Sequence, residues 1–92
     1  MIVTIIGTGL IGGSMALTLK EKGFATKVIG VDARELHLSQ ALALGIIDEA
    51  LPLQDAVSFS DLIIIATPIN AAENILPQIL DVLDRQVIMD VG

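Results

Sequence analysis

Ile2-Val3-Thr4-Ile5-Ile6-Gly7-Thr8-Gly9-Leu10-Ile11-Gly12-Gly13-Ser14 is the stretch on which the reading of this chain turns. Five residues, mostly β-branched, run without interruption into Gly7, which suits a short strand buried on both faces. From Leu10 the period changes. Ile11, Met15 and Leu19 recur at four-residue steps, one face of a helix, with Gly12 and Ala16 beside them. Between strand and helix stand three glycines at G-x-G-x-x-G spacing. That hexamer alone arises often by chance; its position between a strand and a helix gives it meaning. Gly7 permits the tight turn, Gly9 presents bare backbone that a pyrophosphate can approach, and Gly12 lets helix and strand close together. The N–H groups of Leu10, Ile11 and Gly12 have no partner inside the helix and face an anion along the helix dipole. Ser14, just beyond, is a further candidate donor to a phosphate. The alternative is a glycine-rich turn with packing duties alone, and the context favours the phosphate cradle.

Working outward, Lys20, Glu21 and Lys22 face water and Gly23 stops the first helix. Lys27 to Asp32 reads as a second strand, apolar at Val28, Ile29 and Val31. Arg34 to Leu44 reads as a second helix with Leu38, Ala41 and Leu42 inside, ended by Gly45. Ile46 and Ile47 form a weak third strand, and 48–60 a loop with one helical turn at Gln54 to Val57. Leu62 to Ala66 is the clearest strand. Asn70 with Glu73 makes an N-cap pair that opens a helical stretch to about Leu83. Pro77 inside it marks either a kink or a fresh helix start. Gln86 to Val91 is the last strand.

This order predicts an α/β fold: a Rossmann-type parallel sheet with helices on both faces and strand order 3-2-1-4-5. It is truncated before the usual sixth strand. Ligands of such sheets sit at the carboxyl ends of the strands, and Val91-Gly92 is where the last strand ends. The expectation is one dinucleotide-binding domain over 1–92, a fragment of a longer enzyme.

The totals agree. Hydrophobic residues make up 53% of the 92, above the usual ~45–50%, and nearly all are aliphatic; Phe24 and Phe59 are the only aromatics. The formal net charge of −6 carries no basic patch for nucleic acid. With no cysteine, disulfide scaffolds, thiolate metal sites and Cys nucleophiles are excluded. The longest apolar run, Leu62 to Ala66, is far too short to span a bilayer. No charged lead-in marks a signal peptide. The expectation is a soluble, cytoplasmic protein.

Asp32 ends the second strand twenty positions after Gly12. A carboxylate there accepts hydrogen bonds from the ribose hydroxyls of an adenosine and repels a 2′-phosphate, which selects NAD over NADP. The alternative is an exposed acid capping the next helix. Arg34 complicates the choice: its guanidinium can wall the adenine side or pair with a 2′-phosphate. Thr67 and Pro68 leave the fourth strand on the same rim. Thr67 offers a hydroxyl to a ribose or phosphate oxygen, while a Pro stop followed by an Asn70 cap is the structural alternative. Asp90 is a candidate by position only. His37, between Leu36 and Leu38, reads as a surface histidine. No His/Asp/Glu cluster has metal spacing, and a lone histidine offers no Ser-His-Asp set.

Gly7-Thr8-Gly9-Leu10-Ile11-Gly12-Gly13-Ser14, Val31-Asp32, Asp61 to Pro68 and Asp90-Val91-Gly92 together resemble the prephenate/arogenate dehydrogenases of tyrosine biosynthesis. The likeness covers the whole chain. It implies NAD as cofactor and prephenate or arogenate as the small-molecule substrate, oxidised by hydride transfer to the nicotinamide with loss of CO₂. By the resemblance, the nucleotide contacts fall on Gly7, Gly9, Gly12 and Asp32, and less directly on Thr67 and Pro68. In the family a Ser and a Lys follow Asp-Val-Gly, and later come a histidine that acts on the substrate hydroxyl and a helical dimerisation domain; all would lie beyond Gly92. No catalytic residue is therefore expected within this chain, which alone should be inactive. Its last strand, Val87 to Val91, left at a sheet edge, or the helix from Asn70 to Leu83 should drive homodimerisation. Two alternatives stay open: the nucleotide domain of another hydroxy-acid or imino-acid dehydrogenase, and a non-catalytic dinucleotide sensor.

Overall fold

A computed structural model describes residues 1–67 and 69–91, without the side chains of residues 10, 11 and 69–74. The described elements are β1 (Ile2–Ile6), α1 (Leu10–Glu21), β2 (Lys27–Val31), α2 (Glu35–Ala43), β3 (Glu49–Ala50), α3 (Leu53–Phe59), β4 (Leu62–Ile65), α4 (Ile69–Val82) and β5 (Val87–Asp90). The strands form one sheet in the order β3-β2-β1-β4-β5. All four pairings are parallel, with Ile6 opposite both Val31 and Ile65. The carboxyl ends of the three central strands therefore finish level and form one rim.

Period-two alternation explains the two layers of helices. Val3, Ile5, Val28 and Ile64 point to one face and pack with Ala16 of α1, Ala41 of α2 and Ile47. Ile6, Ile63 and Ile65 point to the other and pack with Val57 of α3 and Ile79 of α4. Each fully buried Val or Ile contributes about 1.5–3 kcal/mol through removal from water. The central strands are thus fixed from both sides. Thr4, a polar residue within this core, is satisfied: its hydroxyl bonds Ser60 Oγ and the Ala56 carbonyl of α3.

The structure departs from the sequence reading in several places. The third strand is Glu49–Ala50, paired to Ile29 and Gly30, and not Ile46-Ile47. Ile47 instead plugs the core at 2% exposure. Asp48 fixes this edge by accepting from Val28 N (2.8 Å) and Lys20 Nζ (2.7 Å). Burial opposes ionisation of Asp48, but Lys20 and the Val28 N–H outweigh it and hold the carboxyl below its ordinary value.

The single helical turn read at Gln54 to Val57 extends into a helix, α3, over Leu53–Phe59. Pro52 presets its entry, and Ala56 and Val57 are buried beneath it. Leu42, expected inside, is 43% exposed, so small Ala41 and half-buried Leu38 carry the contact of α2. Pro77 lies within one continuous helix. The Asn70–Glu73 cap falls outside the described side chains. No helix among the described residues is long and apolar enough to cross a membrane.

Candidate functional site

The chain leaves β1 through Gly7, whose φ of +94° lies in the left-handed region. A Cβ there would meet Thr67 Cγ2 at 2.9 Å and the Ala66 carbonyl carbon and oxygen at 3.1 Å. Gly7 N donates to the Val31 carbonyl at 2.7 Å, tying the turn to the end of β2. α1 then starts, and its first intrahelical bond runs from Gly13 N to Gly9 O (2.8 Å). The N–H groups of residues 10–12 precede that bond and have no partner within the helix. The first turn of α1 carries no acid to cancel the helix dipole. Among the described residues a Cβ on Gly9 would meet nothing within 4 Å, so bare backbone faces open space there. A Cβ on Gly12 would lie 2.1 Å from the Gly7 carbonyl oxygen and 3.0 Å from Ile5 Cγ2. Gly12 therefore serves the close approach of α1 to the turn more than to the strand.

Asp32 lies just beyond β2 with its side chain only 11% exposed. Its Oδ2 accepts from Thr8 N (2.9 Å) and Thr8 Oγ1 (3.1 Å), and Oδ1 accepts from Arg34 N (2.9 Å). Burial opposes its ionisation. The Arg34 and Thr8 backbone N–H groups, with His37 and the Thr8 hydroxyl, outweigh burial and hold the carboxyl below its ordinary value. An ionised carboxylate thus stands beside the glycine turn and ties it to the start of α2. Asp32 is not the exposed cap of the alternative reading: Arg34 is the N-cap residue of α2, without a side-chain cap hydrogen bond, and Asp32 reaches only its N–H.

His37 is not the remote surface residue its position suggests. Its Nδ1 lies 3.1 Å from Asp32 Oδ2, and the ring is 34% exposed. Because a carboxylate only accepts, Nδ1 is the donor. The signal was present in the sequence. His37 is the third residue of α2, where a side chain reaches back over the helix start, as the acid of a capping box does.

Two more contributors were not singled out from sequence. Thr8, buried, supplies two of the donors to Asp32. Gly30 in β2 makes room, because a Cβ there would meet Ile47 Cδ1 at 2.5 Å and Thr8 Cγ2 at 3.0 Å.

A cleft of about 690 Å³ runs along the rim. Gly7, Gly9 and Asp32 line it, with Arg34 and His37 from the start of α2, Leu51 and Pro52 from the β3–α3 turn, Leu53 from the start of α3, and Ala66, Thr67 and Ile75. That volume is typical of small-molecule sites. Thr67 Oγ1 is buried without a hydrogen-bond partner. Pro68 lies outside the described residues, as do the side chains of Leu10 and Ile11. Ser14 lines a second, smaller cleft on the far side of the turn. Asp90 ends β5 opposite Ile65, at the same end of the sheet.

Residues 15–92 match the family described as prephenate dehydrogenase, nucleotide-binding domain. The chain belongs to the prephenate dehydrogenase family. It is 37% identical to the prephenate dehydrogenase of Lactococcus lactis subsp. cremoris over 92 residues, which cover 98% of this chain and 26% of that protein. The chain thus spans about a quarter of that relative's length.

Among solved structures it is similar to prephenate dehydrogenase from A. aeolicus in complex with hydroxyphenyl propionate and NAD+. The TM-score is 0.89 at 30% identity, covering 97% of this chain and 32% of that one. It is also similar to Synechocystis arogenate dehydrogenase, with a TM-score of 0.88 at 28% identity, covering 100% of this chain and 33% of that one. Prephenate dehydrogenases are NAD-dependent oxidoreductases, and this chain has the fold of their nucleotide-binding domain.

Proposed function

We propose that this rim binds NAD and that the chain serves as the cofactor domain, 1–92, of a longer prephenate or arogenate dehydrogenase. The observation that carries the reading is Asp32: an ionised carboxylate beside the bare backbone of Gly9, in a cleft that also holds an unpartnered Thr67 hydroxyl. These residues fit a dinucleotide. Gly9 leaves room for a pyrophosphate, and the N–H groups of residues 10–12 would hold it. Asp32 would take a ribose hydroxyl on Oδ1, whose one protein donor leaves it capacity to accept. Thr67 would give its hydroxyl to a ribose or phosphate oxygen, with Pro68 stiffening the exit, and Arg34 would wall the adenine side. Bound NAD supplies the hydride acceptor. This chain's residues bind and orient it and leave the substrate chemistry to the rest of the enzyme. On the same reading the protein works in the cytoplasm on a small acid, without nucleic acid or membrane.

Calorimetric titration with both nucleotides tests the assignment. NAD should bind tighter than NADP by about tenfold or more, the effect of one like-charge contact near a protein surface. Asp32→Ser should narrow that gap. Tighter binding of NADP by the parent chain would remove Asp32 from the ribose.

We also propose that the chain self-associates. β5 ends the sheet with Val87 and Met89 exposed at 62% and 44%, and Leu76 and Leu80 are exposed on α4. Open strand edges pair readily with another chain. Light scattering should return a dimer mass; a monomer at millimolar concentration would end this part of the proposal.

A further inference from the structure

His37, bonded to Asp32, has no place in the binding scheme above. Its geometry gives it one, provided the adenosine ribose lies at Asp32. Nδ1 and Oδ2 are 3.1 Å apart, so any group brought to the carboxylate comes within reach of the imidazole field. The ring is 34% exposed and lines both clefts beside the glycine turn, which leaves it open to solvent protons. With Nδ1 committed to Asp32, the proton gained on acidification goes to Nε2. Histidine is the side chain that changes charge between about pH 5 and 8. Among the described residues, the charged groups lining the two clefts besides His37 are Asp32 and Arg34, and the exposed Glu35 lies two residues away in the first turn of α2. The group in direct contact with the ring is Asp32. With neutral His37 the pair carries one negative charge, and with cationic His37 it carries none.

We infer that His37 is a positioning residue that makes the choice between NAD and NADP depend on pH. Neutral His37 holds Asp32 by its Nδ1–H and leaves the full negative charge to repel a 2′-phosphate. Cationic His37 holds Asp32 equally well and cancels that charge, and the nearby Arg34 then adds attraction. NAD, which brings a hydroxyl to this position, is affected far less. The ligand chemistry is thus a ribose 2′-hydroxyl at neutral to alkaline pH, with a 2′-phosphomonoester admitted as pH falls.

The test is calorimetric titration of NAD and NADP on the parent chain and on His37→Asn at pH 8.0, 7.0, 6.0 and 5.5. Asn keeps a neutral donor close to the position of Nδ1 and cannot gain a charge. The parent's ratio of Kd(NADP) to Kd(NAD) should fall by about tenfold across that range. The 2′-phosphate itself takes up a proton near pH 6, so some fall is expected without any histidine. In His37→Asn the fall should be about threefold or less. Far-UV circular dichroism confirms that both chains stay folded. Equal falls in the two chains, or a flat ratio in the parent, would overturn the role of His37. Asp32→Asn at pH 8.0 separates that failure from failure of the site: if it leaves the ratio unchanged, the ribose is not at Asp32 and the binding scheme itself is wrong.

Discussion

Gly9→Ala should lower NAD affinity by about tenfold or more and leave the fold intact. Among the described residues a methyl at this position meets no atom within 4 Å, and the backbone there, at φ −73°, suits alanine as well as glycine. Unfolding temperature should therefore hold within about 2 °C, or rise slightly from the lower entropy of the unfolded chain. The methyl occupies the space through which a pyrophosphate would approach the N–H groups of residues 10–12. Tenfold in affinity is about 1.4 kcal/mol, the scale of a charge-assisted hydrogen bond lost or lengthened. Calorimetry and thermal unfolding on the same samples measure both halves. Undiminished NAD binding by a folded Gly9→Ala chain would move the pyrophosphate away from this turn.

Gly12→Ala should do the reverse and damage the fold first. Its Cβ would lie 2.1 Å from the Gly7 carbonyl oxygen, and Ile5 Cγ2 at 3.0 Å blocks retreat toward the sheet. Neither obstacle is the free end of a flexible side chain. One is backbone held by Gly7 N to Val31 O, the other a methyl of a fully buried isoleucine. Relief requires α1 to move off the turn, which uncovers Ala16 and its neighbours. Overpacking against fixed atoms costs about 3 kcal/mol at the severe end. For a domain of this size that is a fall of about 12 °C or more in unfolding temperature. Thermal and urea unfolding measure it. An unchanged midpoint would mean that α1 does not sit as close to Gly7 as described. Together the two alanines separate a glycine needed by the ligand from one needed by the chain.

The parts of this molecule legible in the sequence are those set by local pattern. Ile2 to Ile6 and Leu62 to Ile65 read as buried strands because their aliphatic runs are short and end at turn residues. The change of period at Leu10 located the first helix. Strand order followed from the Rossmann-type reading of the glycine turn and the alternating strands and helices, with right-handed crossovers.

What did not show in the sequence depends on contacts between distant segments. Ile46-Ile47 has strand composition, but Ile47 fills the core against Gly30 and leaves pairing to Glu49–Ala50. The helical turn read at Gln54 to Val57 is the middle of a longer helix, α3, whose seven residues are too few to set out a helical period beyond Leu53 and Val57. His37, five residues from Asp32, is the exception: its place as third residue of α2 was a readable signal, and it meets Asp32 because the turn between β2 and α2 folds the helix start back over the strand end. Thr8 was a filler position in the glycine motif until the fold placed both its donors on the Asp32 carboxylate. Residues that hold a site together this way carry no motif of their own.

The central claim is that NAD lies across the carboxyl rim, from the start of α1 to Asp32. Titrating NAD into the 15N-labelled chain and following its amide resonances tests this most directly. The account predicts saturable shifts concentrated at residues 8–13 and 32–34 and at Thr67, with the amino ends of the strands, Ile2, Lys27 and Leu62, unmoved. Saturable shifts at that opposite end, or none at residues 8–13 while NAD demonstrably binds, would contradict it.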